Sequence, residues 1–308
     1  MKRRLLLIIN ARSGTASIKN RLLDIIELFV IWEYDVTVHT TLRKGDAADH
    51  IRNRAADFDL IVCCGGDGTV NEAFSALSSM KNPPPLGLIP SGTTNDFAHS
   101  LSIPTNPIDA AQVICSGKPF ICDCGRFGDQ IFTYAAAFGL FTNITYETPQ
   151  ESKNILGRAA YVLEAIKNLP SYSPYRLRLD CEQGSFEGDY ILGMVSNTVS
   201  IGGFRNFFQT VAELDDGLLE VTLVKMPRTL ADYQKVINVL LGIDRVESST
   251  LDFLTFVTTK KARITSEELI SWTLDGEEGG IHNDIDIEVI PSAVPVIISK
   301  EAVIRPSI

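Results

Sequence analysis

No CxxC pair occurs in this 308-residue sequence, and no histidine clusters with a cysteine at ligand spacing. The common zinc-site patterns are thereby excluded. Positive charge is scarce: 28 Lys and Arg against 38 Asp and Glu leave a formal net charge of −10. A phosphate backbone rewards the opposite balance, so nucleic acid is not an expected partner. Purely electrostatic attachment to anionic lipid is disfavoured for the same reason. Repeats and low-complexity tracts are missing. So are long apolar runs: the longest uncharged stretch near membrane-span length, Ile131 to Tyr146, contains Thr, Asn, Tyr and Gly. It falls short of the ~20 apolar residues that a spanning helix needs. The apolar block within Met1 to Asn10 is too short for a signal peptide and reads as a first strand.

What remains is an ordinary globular composition, 45% hydrophobic and 21% charged, able to bury a sizeable core. The length exceeds the ~250 residues past which single cores rarely grow, which predicts about two domains. The six cysteines are Cys63, Cys64, Cys115, Cys122, Cys124 and Cys181. Cys63 and Cys64 sit inside an apolar run and read as reduced core residues, a pattern that suits the cytoplasm.

The first third of the chain alternates strand-like and helix-like segments. Leu5 to Ile9 is a continuous apolar run, Ile18, Leu22, Ile25, Ile26 and Phe29 recur at helical spacing, and Val36 to Val38 reads as a second strand. Ala47, Ala48, Ile51 and Ala55 mark a second helix. Leu60 to Cys64 is a third strand, Val70, Phe74 and Leu77 a third helix, and Leu86 to Ile89 a fourth strand. Such alternation predicts a parallel sheet covered by helices on both faces. After about Asp123 short β-rich runs dominate: 130–138, 176–181, 190–196, 218–224, 253–258, 270–274 and 285–290. Helical segments interrupt them near Asn154 to Leu169 and Leu230 to Leu241. The expected architecture is an α/β nucleotide-binding domain over 1–125 and a mainly antiparallel β domain over 126–292. A last strand within 293–308 is free to rejoin the first domain.

Three loops carry candidate chemistry. Gly65-Gly66-Asp67-Gly68-Thr69-Val70-Asn71-Glu72 leads from a buried strand straight into a helix. Missing Cβ atoms let phosphate oxygens approach the backbone, and the helix start offers unpaired N–H groups and positive partial charge. Asp67 is placed to hold magnesium or to accept a proton. The competing account, a tight turn with Asp67 as helix cap, leaves too many special residues unexplained. Ile89-Pro90-Ser91-Gly92-Thr93-Thr94-Asn95-Asp96-Phe97 repeats the arrangement. Thr93, Asn95 and Asp96 are positioned to face the first turn across neighbouring strand ends. Asn10-Ala11-Arg12-Ser13-Gly14 follows the first strand with amides, a hydroxyl and a guanidinium suited to phosphate. Neither GxxxxGK[ST] nor GxGxxG is present, so neither of those phosphate-binding mechanisms applies.

GGDGTVNEA at 65–73 and PSGTTNDFA at 90–98 resemble the paired signatures of the diacylglycerol kinase catalytic family, whose relatives are sphingosine and ceramide kinases. Thr94 stands where that family often has glycine. The resemblance implies an NAD kinase/diacylglycerol kinase-like fold, ATP and Mg2+, and a lipid hydroxyl as acceptor. Asn10 to Gly14 is similar to the family's nucleotide loop, and Thr41 is implied as a nucleotide contact. Leu156 to Tyr161 resembles a helix of the second domain, and Asp123-Cys124-Gly125 its entry. Glu213, Asp216 and Leu218 resemble a structural magnesium site, for which a plain β-turn is the rival reading. Leu274-Asp275-Gly276-Glu277 resembles the segment carrying the general base, Asp275 and Glu277 both being candidates. With Asp67, Asp96 and Asp123 they make up the acids implied for catalysis.

The resemblance further implies a cleft between the domains as the site, and peripheral contact with the inner face of a membrane. A homodimer is compatible with it. An NAD kinase is the nearest enzymatic alternative, though its second signature differs. A 6-phosphofructokinase shares only the short glycine-aspartate turn. A non-catalytic nucleotide- or lipid-binding regulator is the alternative from another class, against which the retained acids weigh.

Overall fold

The structure is a computed structural model that describes residues 2–13, 17–140, 172–197, 200–201, 204–205, 214–240 and 253–302. The expected helix near Asn154 to Leu169, including Leu156 to Tyr161, lies outside the described residues, as do Gly14 and Glu213. The chain divides into two compact units. One comprises Met1–Cys124, Glu213–Gly217 and Ile290–Ile308, the other Gly125–Ala212 and Leu218–Val289.

In the first unit the elements run β1 (Arg3–Ile9), α1 (Ser17–Ile31), β2 (Tyr34–Thr40), α2 (Asp46–Arg54), β3 (Leu60–Gly65), α3 (Asp67–Leu77), β4 (Leu86–Pro90), α4 (Asp96–Ser100), α5 (Pro107–Ser116) and β5 (Lys118–Phe127), whose end from Gly125 on lies in the second unit. β1 lies between β2 and β3, and β4 lies beyond β3, all parallel. Leu5 to Ile8 and Ile61 to Cys64 are at most 1% exposed, as continuous apolar runs must be when helices cover both faces of a sheet. α1 packs with α5, and α2 with α3.

The register brings the strand ends level. Ile9 faces both Thr40 and Cys64, Cys64 faces Ile89, and Gly65 faces Pro90. The chain leaves β1 for one side of the sheet and β3 for the other, so the order switches between β1 and β3. Ligands of open α/β sheets bind outside the carboxyl ends of the strands at such a point. α5 was not among the elements that periodicity suggested. Its signal is a cap: Asn106 accepts from the N–H groups of Ile108 and Asp109, and Pro107 occupies the first turn.

The second unit is built from β6 (Gln130–Phe132), β7 (Ala135–Gly139), β8 (Tyr175–Cys181), β9 (Gly184–Ser196), β10 (Ser200–Ile201), β11 (Phe204–Arg205), β12 (Leu219–Lys225), α6 (Leu230–Leu240), β13 (Leu254–Thr259), β14 (Lys261–Leu274) and β15 (Glu277–Ile298). The pairings are antiparallel. β7 and β8 each bridge the two long strands β9 and β14, β7 at one end and β8 at the other. This wraps the strands around one core containing Phe127, Phe138, Leu177, Leu179, Tyr190 and Trp272. Bulges in β14 between Thr265 and Ile270 and between Trp272 and Thr273 supply the bending. The last stretch of β15 belongs to the first unit, where Val296 pairs in parallel with Leu86 of β4.

The strand expected over 130–138 is two strands. Thr133 and Tyr134 turn their N–H groups onto the carboxylate of Asp275 instead of onto a neighbouring strand, which ends β6 before β7 begins.

Trp272 is 1% exposed, with ring centroids 4.7 Å from Phe138 and 4.9 Å from Phe127. Trp272→Ala leaves a cavity that rigid strands cannot close. We expect a loss of about 3–5 kcal/mol, read by guanidinium unfolding followed by far-UV circular dichroism. A loss under about 1 kcal/mol would show that this core repacks freely.

Candidate active site

Gly66, not Asp67, occupies the cap position of α3, and no side chain caps that helix. Asp67 is the first residue inside the helix, which removes the simple capping account of its presence. Its carboxylate reaches across to the second turn. Oδ2 accepts from the Thr94 hydroxyl at 3.1 Å and Oδ1 from the Phe97 N–H at 3.4 Å.

The two turns touch through glycines. A Cβ on Gly92 would lie 2.5 Å from the Cα of Gly66, and a Cβ on Gly66 would lie 3.0 Å from the Cα of Gly92. Backbone therefore packs on backbone, an approach that no side chain permits. The Ser91 N–H donates to the Gly65 carbonyl at 2.9 Å and continues the β3–β4 pairing into the turns. Asn95, in the left-handed region at φ 52, closes the second turn on itself. Its side chain accepts from the Gly92 N–H at 2.8 Å and donates to the Gly92 carbonyl at 3.0 Å. A small cavity beneath the turns is lined by Gly65, Gly66, Asp67, Val70, Asn95 and Ala98.

The first loop joins the same edge. The Asn10 N–H donates to the Cys64 carbonyl at 2.9 Å, and its side-chain amide donates to Thr69 Oγ1 at 3.1 Å. Ser91 Oγ donates to Ser13 Oγ at 3.4 Å. Ala11 and Arg12 are exposed. The Thr41 N–H donates to the Ile9 carbonyl at 2.9 Å, which sets Thr41 beside Asn10. Asn10, Ser13, Thr41, the Gly65–Gly68 turn, Thr69 and Asn95 thus gather at one sheet edge. Thr93 is exposed on the second turn, Val70 and Asp96 are buried, and Asn71 is half-buried. Glu72 points elsewhere, to the start of α2.

Two residues that the sequence reading passed over belong to this edge, Thr94 through Asp67 and Ser91 through Ser13. Hydroxyls in a polar turn were the available signal, and Thr94 was taken only as a departure from glycine. The thiols beneath are inert. Burial drives Cys63 far above the usual thiol range and pushes Cys64 up to about 12, the Ser91 hydrogen bond opposing it.

The other acids are placed differently. Asp123 is 1% exposed. Its oxygens accept from the Ser292 N–H at 2.6 Å and the Gly217 N–H at 2.7 Å, while its own N–H donates to the Leu214 carbonyl at 2.8 Å. Burial raises its carboxyl above the usual range, and those two N–H donors oppose the rise. Asp123 is thereby a bracket for the loop that carries Asp216, an exposed residue; Leu218 is half-buried. Among the described residues no group of three or more His, Cys, Asp or Glu gathers as a metal cluster.

Asp275 is 6% exposed and sits at φ 51. Its Oδ2 accepts from the N–H and hydroxyl of Thr133 at 2.7 and 2.8 Å, and its Oδ1 from the N–H groups of Tyr134 and Ala135, both at 3.0 Å. Four donors saturate the carboxylate from within. Glu277, two residues on, is exposed.

A family profile for the diacylglycerol kinase catalytic domain matches residues 4–127, and one for the YegS C-terminal NAD kinase beta sandwich-like domain matches residues 141–298. A diacylglycerol kinase of Bacillus subtilis is 34% identical over 278 residues, 89% of this chain and 90% of that protein. The chain belongs to the diacylglycerol kinase family. A diacylglycerol kinase of Staphylococcus aureus is 31% identical over 91% of this chain and 88% of its own length. A crystal structure from Bacillus anthracis matches with a TM-score of 0.84 at 25% identity, covering 98% of this chain and 99% of that one. Membership makes the chain a lipid kinase, with ATP as phosphoryl donor. Its fold is the α/β domain plus antiparallel β domain that the alternation and the signature pair lead one to expect.

Asp275→Asn should act on stability. The amide turns one acceptor into a donor facing buried N–H groups, which costs about 2–3 kcal/mol. Thermal or denaturant unfolding reads it, and a change below about 0.5 kcal/mol would disprove the bracket.

Proposed function

We propose that this protein transfers the γ-phosphoryl group of ATP to the hydroxyl of a membrane lipid, diacylglycerol being the substrate named in its relatives. The observation that carries the reading is the contact of Gly66 with Gly92. It brings the strand-to-helix turns after β3 and β4 together at the carboxyl edge of the sheet, with the Asp67 carboxylate reaching from one to the other. Phosphoryl transfer asks mainly for positioning and charge neutralisation. Backbone N–H groups at the start of α3, with Asn10, Ser13 and Thr41, suit a triphosphate.

Magnesium fits this edge. Asp67 offers one carboxylate in a cradle that a Cβ would fill, and Mg2+ is held by one or two carboxylates with phosphate oxygens and water completing its shell. Asp67 would hold it, and when bound it would neutralise charge on the phosphates. A second magnesium at the 213–218 loop would draw on Asp216 and serve local order. For the acceptor proton we assign Glu277, because Asp275 has its oxygens committed to Thr133, Tyr134 and Ala135.

Among the described residues no helix is long and apolar enough to cross a membrane. The protein meets its substrate at the lipid surface. With a net charge of −10, apolar side chains contribute to that contact, and activity should survive moderate salt.

Incubation with labelled ATP, magnesium and micelles of diacylglycerol, phosphatidylglycerol, a sphingoid base or undecaprenol should label a lipid. NADP formation from NAD faster than labelling of every lipid would overturn the reading in favour of an NAD kinase. Asp67→Asn, which keeps the shape and removes the charge, should lower kcat by about 10²-fold or more with the fold intact. Retention of more than about a tenth of the activity would remove Asp67 from the chemistry. Glu277→Gln should lower kcat by a similar factor with the fold retained.

A further inference from the structure

α3 carries a second carboxylate whose work is separate from that of Asp67. Glu72 stands five residues later, about 140° round the helix at ~3.6 residues per turn. Its Oε1 accepts from the Gly45 N–H at 2.7 Å and its Oε2 from the Ala47 N–H at 3.1 Å. Those donors belong to the start of α2, and every helix begins with N–H groups that lack intrahelical partners. A local Ser, Thr, Asp or Asn usually takes them. Here the cap residue is Gly45, held at φ 84 with no side chain to offer. The nearest local candidate, Asp46, is turned back to accept from the Leu42 N–H at 2.8 Å. The cap is therefore supplied from another helix, with a charge of the sign that a helix N-terminus favours.

The bond has a consequence for the segment before α2. Residues Thr41 to Gly45 are pinned at both ends: the Thr41 N–H on the Ile9 carbonyl at 2.9 Å, the Gly45 N–H on Glu72. Arg43 within it pairs with Asp49 of α2 at 2.7 Å, and Arg52 of α2 donates to Ser75 of α3 at 3.4 Å.

We propose that Glu72 is a positioning residue for nucleotide. It fixes the Thr41–Gly45 segment against the helix that begins at the phosphate turn, and it makes no contact with ATP itself. This rests on the reading of the strand-end turns as an ATP site. Its mark is a split between KM and kcat, which loss of stability alone does not produce.

Glu72→Ala should raise KM for ATP about tenfold, the scale of one net hydrogen bond, with kcat changed less than about twofold. Glu72→Gln is isosteric, keeps one acceptor oxygen and should give a smaller rise. In both variants amide hydrogen exchange should quicken at Gly45 and Ala47. An unchanged KM despite faster exchange would make the cap merely structural and overturn the proposal. Unchanged exchange, or a fall in kcat at constant KM, would overturn it as well. If Glu72→Ala does not fold, Glu72→Gln carries the test. If the wild type labels no lipid, the functional reading fails on its own. ATP dissociation constants of wild type and Glu72→Gln by calorimetry then decide the positioning role, equal values overturning it.

Discussion

At the carboxyl edge of the parallel sheet, Gly66 and Gly92 lie so close that a Cβ on Gly92 would clash with the Gly66 backbone. Much of the first unit's geometry follows from this contact. Parallel pairing of β3 with β4 runs on through Gly65 and Pro90 into the bond between the Ser91 N–H and the Gly65 carbonyl. The two chains must then diverge into helices within a few residues of one another. Backbone-on-backbone packing lets them do so. Because the turns are this close, a side chain as short as that of Asp67 spans from α3 to Thr94 and Phe97. A Cβ at Gly92 would force the turns to shift, so the glycines and the aspartate form one device.

The first unit was largely legible because its signals are local. Continuous apolar runs for β1 and β3, helical spacing in α1 and α3, and glycine-rich exits from β3 and β4 each identify themselves within about ten residues. The candidate phosphate edge followed from those exits and from the rule that ligands bind where strand order switches. Less legible were features set at long range. The division of 130–138 into two strands depends on Asp275, more than 130 residues away in sequence, drawing the intervening N–H groups out of the ladder. No pattern within that segment announces it. α5 begins at the Asn106–Pro107 cap, a local signal that helix-start rules could have found.

Acids were the least legible class, since an aspartate in a polar turn looks the same whether it meets substrate or backbone. Placement separates them. Asp123 and Asp275 are 1% and 6% exposed and spend their oxygens on main-chain donors. Burial of a carboxylate is tolerable only with such donors, so each holds together segments that lack regular pairing. Asp123 fixes the 214–217 turn beside Ser292, and Asp275 fixes Thr133 to Ala135. Asp67 and Glu277 are the less enclosed members of the set. Proximity in sequence misleads here: Asp275 and Glu277 are two residues apart, yet one is consumed by the fold and the other lies exposed.

The same division operates within one helix. Asp67 and Glu72 leave α3 in directions about 140° apart, one toward the second turn and one toward α2. α3 thereby ties together three segments that follow β2, β3 and β4, all reaching the same sheet edge. Its own N-terminus has Gly66 at the cap and no side-chain hydrogen bond there. Serine at that position would accept from one N–H group of the first turn and stabilise the helix by only about a few tenths of a kcal/mol relative to glycine. It would also place a Cβ against Gly92 and fill the cradle. Helix capping and the close approach of the two turns therefore compete at residue 66, and glycine there favours the approach.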